Sequence, residues 1–167
     1  MACAPFIPYH LPNDFLMSKN DQKTEKKHQR FVQEACKQGT VWALKRPEGY
    51  AITHSIQYST TEGEPMPMFC FWSDKGLAGI CAQKEWEEYK PEQISLSEFI
   101  EGWCIGLAND DILIGSNFDQ NMIGYEAEPL MLILELTHEL KQTKRKVEFQ
   151  HFSNIADLES QIKDVLA

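Results

Sequence analysis

The sequence predicts an α+β fold: an antiparallel or mixed sheet with helices packed mainly on one face, in a single compact domain. Three observations lead there. Short β-rich runs come mostly as adjacent pairs, as in hairpins. Helical stripes with apolar residues three and four apart fall between the pairs rather than after every strand, which disfavours a doubly wound parallel sheet. The chain has 167 residues, enough for one domain that removes roughly two-thirds of its unfolded surface from water.

The elements follow in order. Residues 1–17 hold Pro5, Pro8 and Pro12 among apolar side chains and read as an extended arm. Residues 19–38 form a helix with Phe31, Val32, Ala35 and Cys36 on one face and Gly39 at its C′ position. Residues 40–44 and 50–54 read as a hairpin around Arg46-Pro47-Glu48-Gly49, and residues 57–67 as a polar loop. Residues 68–103 carry three of the four tryptophans. This stretch opens as an apolar strand. Ser73 is expected to cap a short helix burying Leu77, Ile80 and Cys81. An extended link with Pro91 follows, suited to a sheet edge. Ser95 and Glu98 then form a capping box before one continuous stripe of Leu96, Phe99, Ile100, Trp103 and Leu107, with Trp103 in the core.

Residues 112–116 and 122–126 read as a second strand pair across a turn-like connector. Pro129 opens an apolar helix over residues 130–141. Lys141, Lys144, Arg145 and Lys146 at its end read as a solvated face favourable to the helix dipole. A last strand is expected over 147–152, then an amphipathic helix begun by Ser153 or Asn154. The division is therefore an arm at 1–17, an α+β body at 18–144, and a strand–helix extension at 145–167 packed on the same body.

The formal net charge of −9 disfavours nucleic acid and anionic membrane as partners and favours a basic one. The five cysteines are scattered without a C-x-x-C pair, the pattern of reduced thiols in a cytoplasmic protein. No secretory signal or membrane-length apolar run is read, so the expectation is a cytoplasmic chain.

Motifs for chemistry are weak. Glu25/His28 and Glu135/His138 make two E-x-x-H pairs, the spacing of carboxylate di-metal sites. Those sites belong in four-helix bundles, which the strands contradict. The expectation is two surface or half-buried histidines and no metal. Cys70 on one strand could approach His54 on another as a nucleophile and base, but Phe69-Cys70-Phe71 is the setting of a buried thiol. Gly76 and Gly79 follow a strand without a phosphate-loop pattern. No cofactor is expected. Trp86 and Tyr89, set among Lys84, Glu85, Glu87, Glu88 and Lys90, are the aromatics expected to be partly exposed and open to recognition.

The ordered series V-W-A-L, G-Y-A-I, M-F-C-F-W-S, E-W-x-x-Y-x-P-x-x-I-x-L-x-E-F-I-x-x-W, D-I-L-I-G-S-N and M-I-G-Y-E-A-E-P resembles a small bacterial family, the domain of unknown function family numbered 2750. The resemblance covers about residues 26–142. It implies one α+β domain in a bacterial cytoplasm and assigns no activity and no catalytic residue. Two functional readings follow. The first is a non-enzymatic protein-binding or regulatory module, acting on a protein partner or a second copy of itself. The second is a small-molecule enzyme or sensor with a pocket near His54, Cys70 and Trp72. The candidate binding residues are Trp86, Tyr89, Trp72, His54 and Cys70.

Overall fold

The computed structural model describes residues 7–8 and 19–167. Apart from the two-residue strand β1 (Ile7–Pro8), the proline-rich arm lies outside the described residues. The fold is α+β, with a five-stranded mixed sheet and a three-stranded antiparallel sheet.

Helix α1 (Lys19–Gln38) ends where Gly39 takes a φ of +71°, a conformation that costs glycine little. Strand β2 (Thr40–Arg46) pairs with only two residues of the expected hairpin partner, β3 (Gly49–Tyr50). Ala51 then breaks the run, and β4 (Ile52–Ser59) joins the other sheet beside β1 and β5 (Pro65–Phe71). The expected hairpin is thus split between two sheets. The expected polar loop shrinks to residues 60–64, because β4 and β5 extend to pair Ser59 with Pro65. The two sheets meet where Trp42 and Trp72 exchange backbone hydrogen bonds of 2.7 and 2.8 Å.

Helix α2 (Lys75–Cys81) is capped by Asp74, whose carboxylate accepts from Gly76 N and Leu77 N, and not by Ser73. Ser73 is buried and hydrogen-bonded to Asn117. The helix buries Ala78 and Cys81 and leaves Ile80 outward, one position off the expected stripe. A 3-10 turn (Lys84–Trp86) leads to β6 (Lys90–Ser95), an edge strand on β2, where Pro91 has no missing ladder bond to answer for. The capping serine works as expected, with Glu98 N donating to Ser95 Oγ at 3.3 Å. The stripe behind it is not one α-helix. α3 (Leu96–Glu98) passes into a π-helical stretch (Phe99–Cys104) and then α4 (Ile105–Asn109). Phe99 and Ile100 reach the core. Trp103 is only half-buried and packs against Tyr50, Phe69 and Phe71.

Strand β7 (Leu113–Ser116) pairs in parallel with β5 and antiparallel with β8 (Tyr125–Ala127). Pro129 is the first residue of α5 (Pro129–Gln142), and Asn154 caps α6 (Ile155–Leu166). Residues 147–152 form no strand. Their backbone is held by Glu101, whose carboxylate accepts from Gln150 N and His151 N. Of the basic cluster, Lys141 pairs with Glu159 and Arg145 donates to Lys37 O.

Alternation along β5 separates two cores. Phe71, with Ile114 and Ala127, faces α1, the π-helical stretch, α5 and α6. Met66, Met68, Cys70 and Trp72 face α2 and the 3-10 turn. The second core exists because the five-stranded sheet curls. β4 and β8 stand three places apart, yet Glu126 on β8 accepts from Ser55 Oγ at 2.5 Å and from Ile56 N at 2.9 Å. Those donors lie in an irregular stretch of β4, which spends five residue steps against two on β5. One buried carboxylate therefore ties the two ends of the curl.

Candidate functional site

The mouth of the curled sheet is closed by α2, the 3-10 turn and the stretch of residues 117–123. That stretch is built tightly. The Asn117 side chain bonds Ser73 and Lys27 O. Phe118 O accepts from Trp72 Nε1 at 2.9 Å and from Cys81 Sγ at 3.2 Å. The Phe118 ring fills a slot that exists because residues 115 and 124 are glycines. A Cβ on Gly115 would lie 2.8 Å from the ring, and one on Gly124 would lie 2.8 Å from Phe118 Cα. Asp119 Oδ1 accepts from Asn121 N and Ile123 N, and its other oxygen pairs with Lys27 Nζ at 2.8 Å. Although burial works against the charged form, these donors hold the Asp119 carboxyl below its ordinary pKa.

Two cavities flank this stretch and share Cys81 and Gln120 in their walls. One, of about 350 Å³, is walled by Trp86, Thr53, Gln83, Lys84 and Met122. The other, of about 450 Å³, lies between α1 and α2. Backbone strain gathers here. Among the described residues, non-glycine positions with positive φ are Lys84, Asp111, Asn117, Met122 and Lys144, and three of these five line the two cavities. Such strain persists where the surroundings over-determine it, often around ligand sites.

The candidates read from sequence fall mostly beneath this mouth. Trp86, expected to be partly exposed, is 8% exposed; its ring stands edge-on to Trp72 at 6.3 Å and one side walls the first cavity. Trp72 is fully buried. Tyr89 is half-buried, with the Arg46 guanidinium 4.9 Å from its ring centre. His54 and Cys70 are not brought together. His54 is exposed, paired across the strand with Pro67, and its side chain leaves the sheet on the face opposite Cys70. Burial pushes the Cys70 thiol far above its ordinary pKa and raises Cys36 to about 12; Cys81 and Cys104 are raised by the same cause.

A second polar centre was not foreseen. His28, expected at or near the surface, is 3% exposed. Its Nε2 meets Glu135 at 2.9 Å, Nδ1 meets Ser116 Oγ at 2.7 Å, and Tyr125 stacks on its ring at 4.0 Å. The two E-x-x-H motifs thus cross-link, histidine of one to glutamate of the other. A carboxylate only accepts, so Nε2 donates, and in the neutral ring Nδ1 accepts from Ser116. The three groups match a nucleophile–base–orienter set in kind, but Ser116 is fully buried beneath α1, so the set serves as a polar rivet between α1, β7 and α5. No sequence signal at short range could pair residues 88 and 107 positions apart.

No curated protein and no solved structure matches the chain. A family described as protein of unknown function (DUF2750) matches residues 28–136, which span the Glu126 tie, the His28 rivet and the linings of both cavities except Lys27. The chain belongs to that family.

Proposed function

We propose that the protein is a non-enzymatic binding module that holds a protein partner across the mouth of the curled sheet. The observation that carries this reading is Met122. It is apolar, 37% exposed, and held at the rim by a backbone with φ of +61°. A left-handed conformation costs a non-glycine residue roughly 1–2 kcal/mol. Presenting an apolar side chain to water at such a cost is a recognition feature rather than a packing one. Ile123 beside it is also exposed. The described thiols lie inside, which supports binding over nucleophilic chemistry and suits a reducing cytoplasm. The net charge of −9 favours a basic partner over nucleic acid or an anionic membrane, and among the described residues no helix is long and apolar enough to cross a membrane.

The test is capture from an extract of the source cells with wild type and with Met122→Asp/Ile123→Asp. The expected result is a stoichiometric partner lost in the variant, whose melting is unchanged. A partner retained by the variant places docking elsewhere, and self-association lost in the variant makes the partner a second copy. One observation favours a second reading, a small-molecule enzyme or sensor: the 350 Å³ cavity has Trp86 as a wall and Trp72 packed behind it. A metabolite retained at one per chain would favour that reading.

A further inference from the structure

The 450 Å³ cavity between α1 and α2 has one-sided chemistry. Its apolar lining comes from Leu77 and Ile80, one helical turn apart on α2, and from Phe118. Ile80 is 55% exposed, so the apolar surface opens outward. The polar lining is nearly spent. Asp119, its only anionic side chain, has both oxygens occupied by Asn121 N, Ile123 N and Lys27. Asn117 uses both amide hydrogens on Lys27 O and Ser73, and its oxygen accepts from Ser73. The Cys81 thiol donates to Phe118 O.

What is left over is cationic or a donor. Lys27 spends two of its three hydrogens, on Asp119 and on Ile123 O. Arg30 lines the same cavity three residues further on, hence on the same face of α1, and makes no ion pair among the described residues. Gln120 completes the rim. We propose that this cavity binds a small amphiphilic anion, with its apolar body on Leu77, Ile80 and Phe118 and its carboxylate or phosphate head between Arg30 and Lys27. The guanidinium suits either head, because its fork of donors matches two oxygens at once. The volume falls within the usual range for ligand pockets, about 300–1,000 Å³. The protein's overall negative charge does not decide the matter at this range, since charges beyond about 8 Å are screened at physiological salt. This site is distinct from the rim carrying Met122.

The test follows backbone amide shifts of the full chain during titration with octanoate, octyl phosphate and octan-1-ol below their aggregation limits, and with inorganic phosphate. The two amphiphilic anions are expected to saturate at one per chain, shifting residues 27–30, 77–81 and 117–120. Affinity should be at least tenfold above that for octanol or inorganic phosphate, and whichever anion binds tighter identifies the head group. Arg30→Glu should weaken both anions at least tenfold and leave octanol within about twofold. Met122→Ser, which alters the rim without adding charge beside Lys27, should leave all four titrations unchanged, so this site and the docking rim fail independently. Octanol binding as tightly as the anions, unchanged anion affinity in Arg30→Glu, or no saturable shift at these residues would each overturn the proposal.

Discussion

At the scale of single residues, the mouth depends on close approach. Gly124 is an example: its backbone lies against Phe118, and a side chain there meets the Phe118 backbone as well as its ring. Gly124→Ala is expected to destabilise by about 2–3 kcal/mol, as overpacking a filled site does, measured as a lower denaturant midpoint at unchanged slope. Asp119 makes a pH-dependent contribution. Its folded carboxyl titrates below its unfolded value, near 4. Its stabilisation is therefore complete above about pH 4 and is lost as pH falls through the folded value. Asp119→Asn should cost about 1 kcal/mol or less at pH 7, given its partial exposure, and the gap between the two proteins should close as pH falls through the folded value. A gap that persists in acid would assign the effect to shape rather than charge. Local signals were legible at this scale where one residue decides the matter, as with Gly39, Ser95, Pro129 and Asn154. They failed where a neighbour in space decides. Ser73 looked like a cap, but Asn117 claims it, and Asp74 one residue on takes the role. Trp86 sits in a charged run that promised exposure, yet its ring turns in against Trp72.

At the scale of elements, helices were easier to read than strands. Their period of 3.6 is carried within one segment, whereas a strand's sheet is chosen by its partners. Residues 50–54 show the difference. They read as one arm of a hairpin, but Tyr50 pairs with β2 while residues 52–54 pair with β5. Residues 147–152 have β-type composition but pair with no strand, and the Glu101 carboxylate accepts from two of their backbone donors instead. The curl was invisible for the same reason, since it depends on Glu126 reaching residues 70 positions away. Glu126→Gln leaves an amide nitrogen that cannot accept, so at least one donor in β4 is orphaned. The expected cost is about 1–3 kcal/mol. Amide hydrogen exchange should accelerate at Ile56 and Gln57 while Phe69 and Ile114 stay protected. Equal acceleration throughout the sheet would mean that the carboxylate does not close the curl locally.

At the scale of the whole molecule, the α+β class and the single domain were legible in the sequence, but the division of the interior into two cores was not. Both use β5, one on each face, which is why a chain of alternating Met66, Met68, Cys70 and Phe69, Phe71 reads as continuously apolar. Helix α6 lies beyond the family match at residues 28–136, yet Leu158 and Ile162 belong to the larger core. Leu158→Ala should therefore destabilise by about 2–5 kcal/mol, as for Leu132→Ala in α5. A loss below 1 kcal/mol in chemical denaturation would make α6 a peripheral addition. The pairing of Trp72 with Trp86 has a consequence of its own. One indole is sealed and bonded to the Phe118 carbonyl, while its neighbour forms the wall of an open hollow. The intrinsic emission of the protein is thereby wired to that hollow, and a molecule entering it would announce itself in the ultraviolet without any label.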